Sequence, residues 1–126
     1  MKIICTTCSK EKVEESATLP AWKRYVSPRI NSIREIAHAS NLPFFILSGK
    51  MGLIHEDAHI TYYDYILTES DVERLVPLVK EQIEKNKITH IIFYSKPKEG
   101  DLIPYYTLLE RSTADAKILF EIKTLT

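Results

Sequence analysis

The sequence predicts an α/β fold: a small three-layer domain with a mostly parallel sheet of about four strands, flanked by helices. Three observations predict it. Ile3–Cys5, Phe44–Leu47 and Ile88–Tyr94 are short, nearly unbroken apolar runs, as strands covered on both faces require. Stretches with helical apolar spacing stand between them, so each strand returns by a crossover to a parallel neighbour. The chain has 126 residues, 44% of them hydrophobic and 27% charged, which fits one globular domain, taken as residues 1–126.

Each element has a local cause. Ile3-Ile4-Cys5 enters a buried strand at once, and Thr6 to Ser16 follows as a polar loop. The stretch Glu11 to Ser16 has the charge for one helical turn. Ser27 and Pro28 supply an N-cap hydroxyl and a pre-set first helical φ. Ile30, Ile33, Ile36 and Ala37 then line one helical face, until Asn41 and Pro43 end it. Gly49 to Gly52 breaks the second strand, and His55 to Leu67 reads as irregular chain. Thr68 and Asp71 form a variant capping box ahead of Val72, Leu75, Val76, Val79 and Ile83. Pro77 inside that pattern predicts a kink or a late start, and Asn86-Lys87 the end. Asp101 is placed to cap a third helix through Leu109, with Tyr105 and Tyr106 on its core and surface. Lys117 to Leu125 alternates, as a fourth strand at an edge does.

The charges restrict partners. Lys plus Arg and Asp plus Glu number 17 each, so the formal charge is zero, unlike that of a protein that coats duplex nucleic acid. Near-neutrality favours self-association, and a homodimer is a possible assembly. No apolar run reaches the ~18 residues of a membrane span. Two cysteines and an immediate first strand indicate a cytoplasmic protein with reduced thiols.

In parallel sheets ligands bind outside the carboxyl ends of the strands, so the loops after Cys5, Leu47 and Tyr94 share one rim. Cys5-Thr6-Thr7-Cys8 is a CxxC, but Cys5 lies in a strand and no second ligand pair exists for zinc. His55 and His59 stand four apart in loop-like chain, so neither metal nor cofactor is expected. Thr7, Cys8, Ser9, Lys10 and Lys12 offer hydroxyls, free amides and cations for an anion nest. Ser48, Gly49, Lys50 and Gly52 form a turn that approaches a ligand closely and presents a cation. Tyr62-Tyr63-Asp64-Tyr65 pairs aromatics that stack on or shape a base pocket with a carboxylate suited to general acid/base work or a ribose hydroxyl.

Four segments in order resemble one family: Cys8-Ser9-Lys10 with Lys12, Tyr25-x-Ser27, Leu47-Ser48-Gly49-Lys50-Met51-Gly52-Leu53, and Tyr63-Asp64. The pattern is similar to the small YaaA-like domains of unknown function, over roughly residues 1 to 70. Gly49 stands where alanine is usual there, and Met51 where an aromatic or His is common. The resemblance points toward nucleobases or nucleic acid. With the rim's carboxylate and cations, the leading expectation is an enzyme acting on a nucleotide or nucleic-acid base, by glycosidic-bond or base-modification chemistry without a metal. Asp64, Lys10 and Lys50 would be its catalytic residues, and Thr7, Cys8, Ser9, Lys12, Tyr25, Ser48, Gly49, Gly52 and Tyr63 would bind ligand. The alternatives are a non-catalytic nucleotide sensor or protein-docking module, and a redox or zinc protein built on Cys5 and Cys8.

Overall fold

The computed structural model describes residues 1–14, 17–63, 65–114 and 117–125. In chain order the elements are β1 (Lys2–Thr7), β2 (Leu19–Pro20), α1 (Ala21–Arg24), α2 (Pro28–Ala39), β3 (Phe44–Ser48), β4 (Gly52–His55), β5 (His59–Ile60), α3 (Glu69–Lys85), β6 (His90–Ser95), α4 (Ile103–Ala114) and β7 (Leu119–Thr124). The main sheet has five strands in the order β4-β3-β1-β6-β7, and β2 pairs β5 as a small separate ribbon. β1, β3, β6 and β7 run parallel. The fold is the small α/β domain that the sequence predicts. Among the described residues no helix is long and apolar enough to cross a membrane.

The fifth strand corrects the expectation of four. Gly52 turns back at φ 76° and starts β4, which pairs antiparallel with β3 from Ser48↔Gly52 to Phe45↔His55. β4 ends at His55, where the chain expected to be irregular begins, and that chain contributes β5 as well.

The helices start and stop as their ends dictate. The Ser27 hydroxyl accepts a hydrogen bond from the Ile30 amide at 3.3 Å, with Pro28 in the first turn. The Asp71 carboxylate accepts from the Thr68 amide and hydroxyl ahead of α3. α2 and α3 both end in Schellman motifs: the Leu42 amide reaches the Ala37 carbonyl, and the Ile88 amide the Ile83 carbonyl. The left-handed residue is Asn41 in one and Lys87 in the other, both at φ 55°. α3 runs continuously through Pro77, so that proline marks no late start. Asp101 is not the cap of α4, because a short 3-10 turn over Gly100–Leu102 precedes that helix and contains it.

Two apolar clusters lie on the two faces of the sheet. Ile3, Cys5, Phe45, Leu47, Ile91 and Phe93 meet α3 and α4 on one face. Ile4, Phe44, Ile46 and Ile92 meet α2, Tyr25 and Tyr63 on the other. Tyr106, expected at the surface, is 2% exposed, stacks edge-on against Phe93 and donates to the Lys96 carbonyl. Off the sheet, Arg24 is completely buried and donates to the carbonyls of Val13, Ala17 and Ile60, tying the first long loop to β5. Arg34 and His38 of α2 hold the buried Glu56 carboxylate at 2.6 and 2.9 Å.

Candidate functional site

The connection from β1 leads outward to β3, while β6 and β7 lie on the opposite side of β1. The carboxyl end of β1 is therefore the topological switch point, the place where open parallel sheets leave a crevice. Cys8 is the first residue past that end, and its side chain packs against both core clusters.

Around Cys8 the three expected loops converge. Its sulfur lies 3.5 Å from the Tyr105 hydroxyl at the start of α4, which also accepts from the Leu67 amide at 3.5 Å. Arg29, in the first turn of α2, donates to the Thr6 hydroxyl and to the carbonyls of Thr7 and Cys8. Burial lowers the Arg29 pKa, and the charge on an ionised Cys8 opposes that shift. Cys5 points into the core, and burial pushes its thiol pKa up. Cys5 and Cys8 thus part company, one a core residue and the other at the rim, both with free thiols.

The second strand's turn is built by one hydroxyl. Ser48 Oγ accepts from the amides of Lys50 and Met51 at 3.1 and 3.0 Å. Its own hydrogen is left for the Tyr63 oxygen at 2.9 Å, and Tyr63 in turn meets Tyr25 at 2.6 Å. The chain Ser48–Tyr63–Tyr25 is buried throughout, with the two rings edge to face. Burial, and secondly the charge of an ionised Cys8, raise the pKa of Tyr25, Tyr63 and Tyr105 alike. Gly49 lies directly under Leu67 and Tyr105, and Gly52 against the Gln82 amide. Gln82 reaches from α3 to clamp the turn, accepting from the Leu53 amide at 2.7 Å and donating to the Met51 carbonyl at 2.9 Å.

Cations cover this buried chain. The Lys12 ammonium sits 4.6 Å from the centre of the Tyr63 ring, and Lys50 sits 5.6 Å from it. Neither has a carboxylate partner among the described residues. Tyr63 is only 5% exposed with cations over its face, so it shapes the pocket and is not placed to stack on a base. The exposed rings are Tyr62 and Tyr65, at 42% and 40%. Together with Lys50, Tyr63, Asp71 and Arg74 they line an open cavity of about 520 Å³. A smaller cavity of about 100 Å³ lies on the far side of Tyr65, against Cys8, Lys10, Asp101 and Tyr105.

Other expected residues stand apart from this centre. Lys10 pairs at 3.5 Å with Asp101 across the smaller cavity, an exposed contact. Ser9 donates to the Glu11 carbonyl and stabilises its own loop. Thr7 is buried, its carbonyl held by Arg29. Asp64 lies outside the described residues. Asp71, the carboxylate of the larger cavity, is held near pKa 2 by hydrogen bonds from Tyr65 and then Thr68. Among the described residues no group of three His, Cys, Asp or Glu side chains is placed to hold a metal ion. Arg29 and Tyr105 were not among the residues singled out from the sequence. The cue for Arg29 was its place one residue beyond Ser27-Pro28, in the turn of helix that faces the rim; nothing local marks Tyr105.

A family model described as "Family of unknown function (DUF6884)" matches residues 3–99. That span takes in β1 to β6 and most of the rim residues. No curated protein and no solved structure matches the chain.

Proposed function

The chain belongs to that family of unknown function, and from this premise we propose that it is a nucleotide- or nucleobase-processing enzyme whose site is the rim above β1 and β3. One observation carries the reading: Lys12 and Lys50 come from different loops, converge on one buried ring and have no acidic partner among the described residues. A cation without an acidic partner keeps its charge for an anionic ligand, and such contacts are the strong ones. The cavity that Lys50 and Tyr63 line is of ligand size and presents two exposed tyrosine rings, the surface a planar base stacks on. The choice of a base over another anion also rests on the resemblance of the rim segments to YaaA-like domains.

In this reading Lys12 and Lys50 hold phosphate, Tyr62 and Tyr65 bracket the base, and Ser48 with Tyr63 fixes the floor. Asp64 keeps the general acid/base role assigned from sequence. Titration calorimetry with mononucleotides tests the binding half. Lys50→Ala is expected to weaken affinity ~10-fold or more, the loss of one charge-assisted contact, and equal affinity in both proteins would refute the site. Asp64→Asn is expected to bind as before and give no product; an active Asp64→Asn protein ends the catalytic assignment.

A second reading, a non-catalytic nucleotide sensor, is favoured by Asp71. In the carboxylate that lines the larger cavity, one oxygen accepts from the Thr68 cap of α3 and from the Tyr65 hydroxyl, and the other lies 3.5 Å from Arg74. Binding with no turnover in the unmodified protein selects this reading.

A further inference from the structure

The two ends of the sheet are unlike. At one end β4 is four residues long, and its outward Leu53 amide is occupied by the Gln82 side chain. At the other end β7 runs six residues, and no strand pairs with its outer side among the described residues. β7 is also the most exposed strand. Leu119 is 66% and Ile122 43% exposed, although both are large and apolar.

An open edge strand is a template for another strand, and natural proteins usually guard it with a lone charge, a proline or a bulge. Here the lysine is not alone. The residues from 119 to 125 read Leu-Phe-Glu-Ile-Lys-Thr-Leu, a pattern that is complementary to its own reverse about Ile122. A two-fold axis through the sheet keeps each side chain on its own face, so only a residue can be the centre. Centred on Ile122, Glu121 faces Lys123 of the other copy twice over, Leu119 faces Leu125, and Phe120 faces Thr124. Centred on Glu121 or on Lys123, like charges stand directly opposite and a leucine faces a charge. One register is attractive and its neighbours are not. Glu121 already contacts His90 at 3.1 Å, but it is half exposed and keeps a second oxygen for a partner.

We propose that β7 is a self-association surface: two copies of this chain pair antiparallel through their β7 edges, centred on Ile122, and join their five-stranded sheets into one of ten. The zero net charge lets two copies approach without long-range repulsion. The paired ribbon falls at the low end of specific interfaces, below ~1,200 Å², so the dimer is weak and dissociates on dilution.

Sedimentation equilibrium over the micromolar to millimolar range tests the pairing. A concentration-dependent dimer is expected. Lys123→Glu, or Glu121→Lys, turns both cross-strand pairs repulsive and is expected to raise the dissociation constant about tenfold or more. The double variant Glu121→Lys/Lys123→Glu restores the pairs and is expected to recover the dimer, which a general loss of folding would not. Ile122→Cys places two thiols at the axis, and mild oxidant is expected to trap a disulfide-linked dimer. A protein monomeric at every concentration overturns the proposal. So does a dimer that Lys123→Glu leaves unchanged, or a double variant that stays monomeric while its circular dichroism is native.

Discussion

A methyl group on Gly49 would lie 2.9 Å from the Leu67 amide nitrogen and 3.0 Å from the Tyr105 oxygen. Alanine, usual in the resembling segments, therefore does not fit this turn without moving the chain over it. Gly49→Ala is expected to cost about 1–3 kcal/mol in urea unfolding, as overpacking does. The Ser48–Tyr63–Tyr25 chain makes a pH-dependent contribution with a fixed sign. Tyr63→Phe is expected to lose about 1–2 kcal/mol at pH 7, the worth of its buried hydrogen bonds. The folded-state pKa of this phenol is raised, so its contribution is complete below its unfolded value near pH 10 and lost as pH rises beyond it. The gap between the two proteins should accordingly narrow in alkaline urea titrations, and a gap constant to the alkaline limit would contradict the assignment. At this scale the sequence showed residue types but not directions. Lys12, Lys50, Tyr25 and Ser48 gather around Tyr63, whereas Lys10 turned to Asp101 and the exposed rings are Tyr62 and Tyr65 instead of Tyr63. A side chain in a loop takes its direction from contacts distant in sequence, as Tyr105 beside Cys8 illustrates.

Elements of more than one turn were legible because their signals are periodic and local. α2 and α3 begin and end where caps and left-handed residues require, and α3 continues through Pro77 even though an interior proline removes one ladder hydrogen bond, its apolar face being buried in the core. β4 was not legible: four residues beginning with glycine carry too little alternation to separate a strand from a turn. Asp101 looked like a cap because any acid before an apolar helical run does, and the 3-10 turn that displaced it leaves no sequence mark. The end of α3 offers a direct test of how such signals act. Lys87 holds φ 55° in an exposed Schellman position where glycine carries no steric penalty. Lys87→Gly is expected to stabilise the protein by about 0.5–1 kcal/mol, since the relief of left-handed strain exceeds the added freedom of the unfolded chain. A lower urea midpoint in the variant would mean that the lysine side chain makes a contact worth more than that strain.

For the molecule as a whole, the order β4-β3-β1-β6-β7 sets a gradient of stability outward from β1. Native-state hydrogen exchange in dilute solution is expected to be slowest in β1, β3 and β6 and fastest, among the strands of the main sheet, in β7. Equal protection of β7 and β1 at low concentration would contradict the exposure of the edge. The parallel order was readable from alternating strand and helix patterns, but which strand would be left outside was not, because sheet order depends on crossovers that carry no residue signature. The unlike ends of the sheet have one more consequence. A molecule with two open edges adds copies indefinitely, one on each side, and grows into a fibre. With Gln82 taking up the Leu53 amide and α3 packed beside β4, the β4 end offers an incoming strand less than the β7 end does, which favours a closed pair over a fibre.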